Sequence, residues 1–418
     1  MESALPTRVL VLGLARSGRA ASHALRRQGV EVVAHDHSEE IDGAELAAAG
    51  AHVVLGGDGI ELLDGVDLVV KSPGVPSRAP VVAAARERGI PVISEIELGA
   101  RLLPNPMVGI TGTNGKTTTT ALLGAMFAAA GVQAEVAGNI GRPLTSLVGA
   151  AGEDAWVVCE LSSFQLEDID TLRPRIAVLL NLEPDHIDRH GTLAAYGDAK
   201  LRIFENQGPE DVAVVPRGFG PVPGDARRVE FAAEDPLPAE PRIPGAHNRE
   251  NAAAATAAAR AVGLVDEAIA EALRTFPGVE HRIEEIGTVA GVRYVNDSKA
   301  TNVAAALRAL GAFPQARLHV ILGGLGKNES YAPLAAAFKR GDRAYLIGAA
   351  APEIAAALEA GGVGHRHSGD LATALDEAAR AASAGDVVLL SPACASFDQF
   401  DSYEQRGEEF GRLVQKLH

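Results

Sequence analysis

At 418 residues the chain is too long for one ordinary hydrophobic core, and with 47% hydrophobic residues it has enough apolar surface for two or three domains. A formal net charge of −16, from 54 acidic against 38 basic residues, argues against nucleic acid or an anionic membrane as partner. The two cysteines, Cys159 and Cys394, have no CxxC or finger spacing, which excludes a disulfide framework and a structural zinc module. No basic segment followed by an apolar stretch opens the chain and no apolar run reaches bilayer length, so a cytoplasmic protein is expected.

Val9-Leu10-Val11-Leu12 is an apolar strand running into Gly13, and an Ala- and Arg-rich helical pattern follows to about Gln28. Val30 to Asp36 is a second strand, Asp67 to Val70 a third that enters the turn Ser72-Pro73-Gly74, and Pro91 to Ile93 another. This alternation of strand and helix predicts a parallel sheet with helices on its faces. Gly13-Leu14-Ala15-Arg16-Ser17-Gly18 approximates a dinucleotide fingerprint with Ala15 at its second glycine, and Asp36 closes the second strand where a ribose-binding acid would sit. By itself this pattern fits diphosphate binding and a tight turn equally well.

Pro104-Asn105-Pro106 punctuates the chain before the strand Met107 to Thr111, which leads into Gly112-Thr113-Asn114-Gly115-Lys116-Thr117-Thr118 and then a long Ala-rich helix. A strand, a glycine-rich turn, Lys, Thr and a helix aim backbone N–H groups and a helix dipole at a polyphosphate. Lys116 would reach the terminal phosphates and Thr117 would offer its hydroxyl to Mg²⁺. Ile110 stands where the strict pattern has its first glycine, so the loop is a variant.

Strands are expected at Trp156 to Glu160 and Ile176 to Asn181. The second runs into Leu182-Glu183-Pro184-Asp185-His186-Ile187-Asp188-Arg189-His190, polar residues at a strand's carboxyl end. His186 and His190 are four apart, but without an HExxH pattern a shared zinc is not expected. Gly218 to Pro244 reads as turns and short strands, and Asn251 to Val262 as a strong helix. A third unit begins near Phe276-Pro277-Gly278, with strands at Val292–Asn296, Leu318–Leu322, Arg343–Ile347 and Val387–Leu390. Three strand-end loops follow these strands: Asn296 to Asn302, Gly323 to Lys327 and Ser391 to Ser396. They are rich in Lys, Ser, Thr and Gly and suggest one anion site at that sheet edge.

The loop Gly112 to Thr118 resembles the ATP loop of the Mur ligase superfamily, which also includes folylpolyglutamate synthases. Glu160-Leu161-Ser162-Ser163-Phe164-Gln165-Leu166-Glu167, Asn296 to Asn302 and Ser391 to Phe400 are similar to its D-glutamate-adding branch, and the likeness runs over essentially the whole chain. The resemblance implies an α/β protein of three domains. These are a Rossmann-like UDP-binding domain (1–95), a central P-loop ATP domain with a mostly parallel sheet (96–278) and a C-terminal Rossmann-like amino-acid domain (279–418). It implies ATP-dependent joining of D-glutamate to UDP-N-acetylmuramoyl-L-alanine through an acyl phosphate, with no nucleic-acid or membrane partner. A monomer is the default expectation.

The same resemblance implies the residue roles. Gly112 to Thr118, Asn251, Arg282 and Asp297 would hold ATP. Thr117, Glu160, His186 and a carbamylated Lys200 would hold two Mg²⁺ ions. Gly13, Leu14, Ala15, Arg16, Ser17, Asp36, Ser72, Pro73, Gly74, Asn139, Ser162 and His186 would hold the UDP substrate. Thr301, Lys327, Ser396 and Tyr403 would bind D-glutamate, with Tyr403 standing where the family has Phe. Lys116, His186, Lys200 and Lys299 would carry the catalysis. A diaminopimelate- or lysine-adding sibling, a folylpolyglutamate synthase and a non-catalytic nucleotide-binding relative are the alternatives. The first is disfavoured by the absence of an Asp-Asn-Pro-Arg motif, the second by the roughly 95 residues before the P-loop domain. The last is disfavoured by the presence of Lys116, Thr117, Glu160, His186 and Lys200 together.

Overall fold

The computed structural model describes residues 6–139, 141–326 and 329–417. They form two compact units, one of Met1–Glu240 with Glu250–Thr275, the other of Pro241–Arg249 with Phe276–His418.

The first unit contains two sheets. In the first sheet, β1 (Arg8–Leu12), β2 (Glu31–Asp36), β3 (His52–Leu55), β4 (Leu68–Lys71) and β5 (Val92–Ser94) lie in the order β3-β2-β1-β4-β5. All its pairings are parallel. Val9 and Val11 of β1 face one apolar cluster while Leu10 and Leu12 face another. A strand covered on both faces is apolar at every position, which is why β1 shows an unbroken run rather than alternation. The order reverses direction between β1 and β4, and the carboxyl ends of those two strands open a crevice there.

The second sheet contains β6 (Met107–Thr111), β7 (Ala134–Gly138), β8 (Trp156–Glu160), β9 (Ile176–Leu179), β10 (Val212–Pro216) and β11 (Arg227–Phe231). Their order is β11-β10-β9-β6-β8-β7, and every pairing is parallel. The helix Glu95–Leu102 joins the two sheets by packing Ile96 into the core of the second and Leu98 into that of the first. Its buried Glu97 accepts the backbone N–H groups of Asp170, Thr171 and Leu172.

The second unit is built on β12 (Glu284–Val289), β13 (Val292–Asn296), β14 (Leu318–Gly323), β15 (Arg343–Ile347), β16 (Gly364–Gly369) and β17 (Val387–Leu390), ordered β12-β13-β17-β14-β15-β16. Only the β12–β13 pair is antiparallel. The four strands expected from sequence appear as β13, β14, β15 and β17. The polar strands β12 and β16 were not anticipated, because an edge strand needs a partner on one side and no apolar run. β16 reads Gly-His-Arg-His-Ser-Gly and is mostly exposed. The expected three-domain α/β architecture is present: three sheets, mostly parallel, each with helices on its faces.

Candidate functional site

β6 ends at Thr111, and the chain turns through Gly112 (φ 149°) and Gly115 (φ 83°) into the helix Lys116–Ala129. Glycine is required at 115 for two reasons. The conformation is left-handed, and a Cβ would lie 2.1 Å from Asn251 Oδ1. The loop is braced by the chain leaving β9. Thr113 N–H donates to the Asn181 carbonyl at 3.1 Å, and Asn114 N–H to Asn181 Oδ1 at 2.9 Å. Asn114 Nδ2 donates to Glu183 Oε2 at 2.7 Å. Lys116 Nζ folds back to the Gly112 and Thr113 carbonyls, both at 2.8 Å, so its ammonium lies within the loop. Thr117 and Thr118 are buried in the first helical turn.

Glu160 ends β8 beside this loop and is 1% exposed. Its Oε1 accepts from Asn139 Nδ2 at 2.8 Å, while Oε2 is buried with no hydrogen-bond partner among the described residues. Lys200, on the helix Leu193–Leu201, is equally buried and donates to the Gly112 carbonyl at 2.8 Å. Burial, and after it the charge of Lys116, pulls its amine down from the usual 10.5 to about 6. Tyr196, one helical turn before Lys200, donates to Thr113 Oγ1 at 3.3 Å, and burial raises its phenol to about 12. His186 takes a left-handed conformation (φ 51°) ahead of the short helix Ile187–His190, with its ring 4.8 Å from that of Phe164.

His190 turns both its ring nitrogens to protein partners. Its Nε2 lies 3.0 Å from Ser163 Oγ and its Nδ1 3.2 Å from Glu167 Oε1, so both ring nitrogens are used. Ser162 caps the helix Ser163–Leu166 in a capping box with Gln165.

At the β1–β4 crevice a cavity of about 890 Å³ is lined by Gly13, Ala15, Arg16, Ser17, Asp36, Ser72, Pro73 and Gly74, all expected there, and by His35, His37, Arg78 and others. Ser72 Oγ donates to the Gly13 carbonyl at 2.8 Å, stitching the two strand ends together. Gly18 lets the following helix approach, since a Cβ there would fall 1.8 Å from the Gly13 carbonyl oxygen. Leu14 differs from its neighbours: its side chain is fully buried in the core, and only its N–H points toward the crevice rim, donating to Asp36 Oδ2 at 2.7 Å. Asp36 Oδ1 accepts from Ser38 N–H at 2.9 Å, so this carboxylate already holds two backbone groups.

In the second unit Asp297 follows β13, accepting from Ser391 Oγ at 2.7 Å and from Ile283 N–H at 3.2 Å. Burial raises its carboxyl to about 7, against the lowering effects of Ser391 and the charge of Arg282. Lys299 Nζ lies 5.5 Å from the Tyr403 ring centroid, and the Tyr403 carbonyl accepts from Ser298 Oγ at 2.8 Å. Ser396 is buried, and Thr301 N–H donates to the Lys299 carbonyl at 2.9 Å. Arg406, 1% exposed, links two of the strand-end loops by donating to Ser298 and to the Cys394 carbonyl. Lys327 lies outside the described residues. The phosphate loop, Asn139, Glu160, Ser162, His186, Lys200 and Asn251 belong to the first unit; Arg282, Asp297, Lys299, Thr301, Ser396 and Tyr403 belong to the second.

Sequence reasoning missed Tyr196 and Arg406. Tyr196 carried a usable signal, its i, i+4 spacing to Lys200 on one helix face. Arg406 carried none, because a buried arginine reads as an exposed one in a polar helix.

The chain matches the family models of the Mur ligase MurD-like N-terminal domain over residues 7–94, the Mur ligase middle domain over 110–218 and the Mur ligase glutamate ligase domain over 281–394. It is 43% identical to the UDP-N-acetylmuramoylalanine–D-glutamate ligase of Koribacter versatilis, covering 98% of this chain and 97% of that one. Against the enzyme of the same name from Anaeromyxobacter dehalogenans the identity is 45%, with 98% and 97% covered. Among solved structures, the UDP-N-acetylmuramate–alanine ligase of Thermotoga maritima superposes with a TM-score of 0.59 at 19% identity, covering 99% of this chain and 100% of that one. A bifunctional folylpolyglutamate synthase/dihydrofolate synthase from Yersinia pestis superposes with a TM-score of 0.57 at 20% identity, covering 77% and 91%. At those identities the superpositions speak for the fold alone.

Proposed function

The chain belongs to the Mur ligase family, among its UDP-N-acetylmuramoylalanine–D-glutamate ligases, and from that membership we infer its reaction. It is an ATP-dependent ligase that adds D-glutamate to UDP-N-acetylmuramoyl-L-alanine in peptidoglycan precursor synthesis, releasing ADP and phosphate. The observation that carries this reading is the phosphate loop with its inward-folded Lys116, set in a chain that aligns with ligases of this activity over nearly its full length.

Two anions must meet for this chemistry. The substrate carboxylate attacks the γ-phosphorus of ATP, the bond to the β-phosphate oxygen breaks, and an acyl phosphate and ADP result. The D-glutamate amine then attacks the acyl carbon, and the tetrahedral intermediate expels phosphate as the amide forms. Lys116 would exchange the Gly112 and Thr113 carbonyls for phosphate oxygens and so offset the charge that accumulates. Asn251 would hold the nucleotide beside Gly115, and Arg282 and Asp297 would complete the ATP contacts. The crevice at Gly13 and Ser72 would take the UDP moiety, with Asn139, Ser162 and His186 toward the reacting end. Lys299 would assist the acyl-phosphate step, and Thr301, Lys327, Ser396 and Tyr403 would orient D-glutamate.

Thr117, Glu160, His186 and a carbamylated Lys200 would hold Mg²⁺. The unpartnered Oε2 of Glu160 is a hard, anionic oxygen donor, the kind this ion takes. Lys200 fits the carbamate role, because an amine held near 6 is mostly unprotonated at neutral pH and nucleophilic toward CO₂. Bound Mg²⁺ would neutralise phosphate charge during transfer. No helix among the described residues is long and apolar enough to cross a membrane. We propose a cytoplasmic monomer.

The test is phosphate release from ATP. It should require UDP-N-acetylmuramoyl-L-alanine and D-glutamate together. Release with L-lysine or diaminopimelate, and none with D-glutamate, would move the chain to a sibling activity.

A further inference from the structure

The wall of the β1–β4 crevice and the segment bearing His186 are tied together by one side chain. Arg189, three residues after His186, donates from Nη1 to the Pro73 carbonyl at 3.1 Å and from Nη2 to the Val75 carbonyl at 3.3 Å. Both carbonyls belong to the turn that lines the 890 Å³ cavity. The guanidinium carbon sits 3.8 Å from the Phe164 ring centroid, and Phe164 also touches the His186 ring. Glu167 stands behind the arginine. Its Oε2 is 4.0 Å from Arg189 Nη2 and accepts from Ser77 Oγ at 2.7 Å, while its Oε1 faces His190 Nδ1.

The other end of the turn is anchored as firmly. Lys71, with a fully buried side chain, donates to the Val75 carbonyl at 3.2 Å and pairs with Asp168 at 2.8 Å. The turn 72–77 is therefore gripped at its backbone carbonyls by two cations. One is anchored at Asp168, and the other rides on the segment that runs from His186.

We propose that Arg189, braced by Glu167 and Phe164, is a positioning residue that couples occupancy of the UDP crevice to the placement of the His186 segment at the reacting end. This deepens the reading of the crevice as the UDP-sugar site and rests on it. The physical reason is geometric. A ligand that packs against Pro73 and Val75 fixes the two carbonyls that Arg189 holds. A planar fork bound to two fixed acceptors and packed over a ring has little freedom left, so the backbone from His186 to Gly191 is fixed with it. Occupancy of one end of a long substrate would then order the residues awaiting the other end, so part of the binding energy would go into orienting the carboxylate.

The coupling can be measured without turnover, using UDP alone as probe and hydrogen exchange as readout in wild type, Arg189→Met and Arg189→Lys. In wild type, UDP should slow exchange around Gly13 and Ser72 and also, by about tenfold, across residues 186–191, a factor ordinary for site-to-site coupling. In Arg189→Met the slowing at the crevice should remain and that at 186–191 should vanish, with Arg189→Lys between the two. The same Met variant should lose kcat/KM for the UDP substrate with KM for ATP unchanged. Equal slowing at 186–191 in wild type and Arg189→Met, or none there in wild type, overturns the coupling. Absence of any slowing around Gly13 and Ser72 has a different meaning: it removes the crevice as the UDP site, and the proposal with it.

Discussion

Lys200 permits a stability measurement whose sign and slope follow from its surroundings. The side chain is buried, touches the Gly112 carbonyl and lies over the Tyr196 ring, and its amine is lowered from 10.5 to about 6. The unfolded chain keeps this proton up to 10.5 and the folded chain releases it near 6. Between those values the unfolded state holds one more proton, so stability rises with pH, by ~1.4 kcal/mol per unit. Below 6 the penalty of burying the ammonium is at its full size, and above 10.5 it is gone. At pH near 7.5 the lysine costs on the order of 4 kcal/mol relative to an uncharged side chain of the same shape. The comparison is wild type against Lys200→Met in CO₂-free buffer without nucleotide, by urea unfolding. The single tryptophan, Trp156 in β8, reports the relevant unit by fluorescence. Between pH about 6.5 and 8.5 the advantage of the Met variant should shrink by roughly 2–3 kcal/mol. A difference between the two proteins that stays constant with pH would refute the assignment of a neutral, buried amine.

Lys200→Ala should release almost no phosphate and recover partly with added short carboxylic acids, which supply the missing oxygen ligand; undiminished activity without them would refute the carbamate. Gly115→Ala should cost about 1–2 kcal/mol from the left-handed backbone alone, and more from the contact with Asn251. Its KM for ATP should rise, and Asn251→Gly in the same chain should recover the steric part but not the backbone part. Asp168→Ala leaves Lys71 buried without its carboxylate and should destabilise the first unit by about 3–5 kcal/mol in urea unfolding. A loss below about 1 kcal/mol would mean the pair is solvated.

Much of this protein was legible in its sequence because the relevant physics is local. The apolar runs at Val9 to Leu12 and Val387 to Leu390, each ending in a turn, read as strands buried on both faces, and the glycines of the phosphate loop answer to backbone conformation within a few residues. Asn181 to His190 was visible as a polar segment after a strand, although its service as a brace for Asn114 was not.

What the tertiary structure alone decided depends on partners far apart in the chain. Lys200 is an ordinary helix lysine until the loop at Gly112, 88 positions away, closes over it and removes its water. His190 is one of two histidines four residues apart until folding sets Ser163 and Glu167 against its two ring nitrogens. Leu14 turns into the core while its neighbours face the crevice, and Arg189 acquires a task only when the turn at Pro73, 116 positions away, presents two carbonyls to it. The chain itself determined which groups are present and which local shapes they take. Folding determined which of them lose solvent and which acceptors they meet, and those two quantities set the charge and the reach of each side chain at the site.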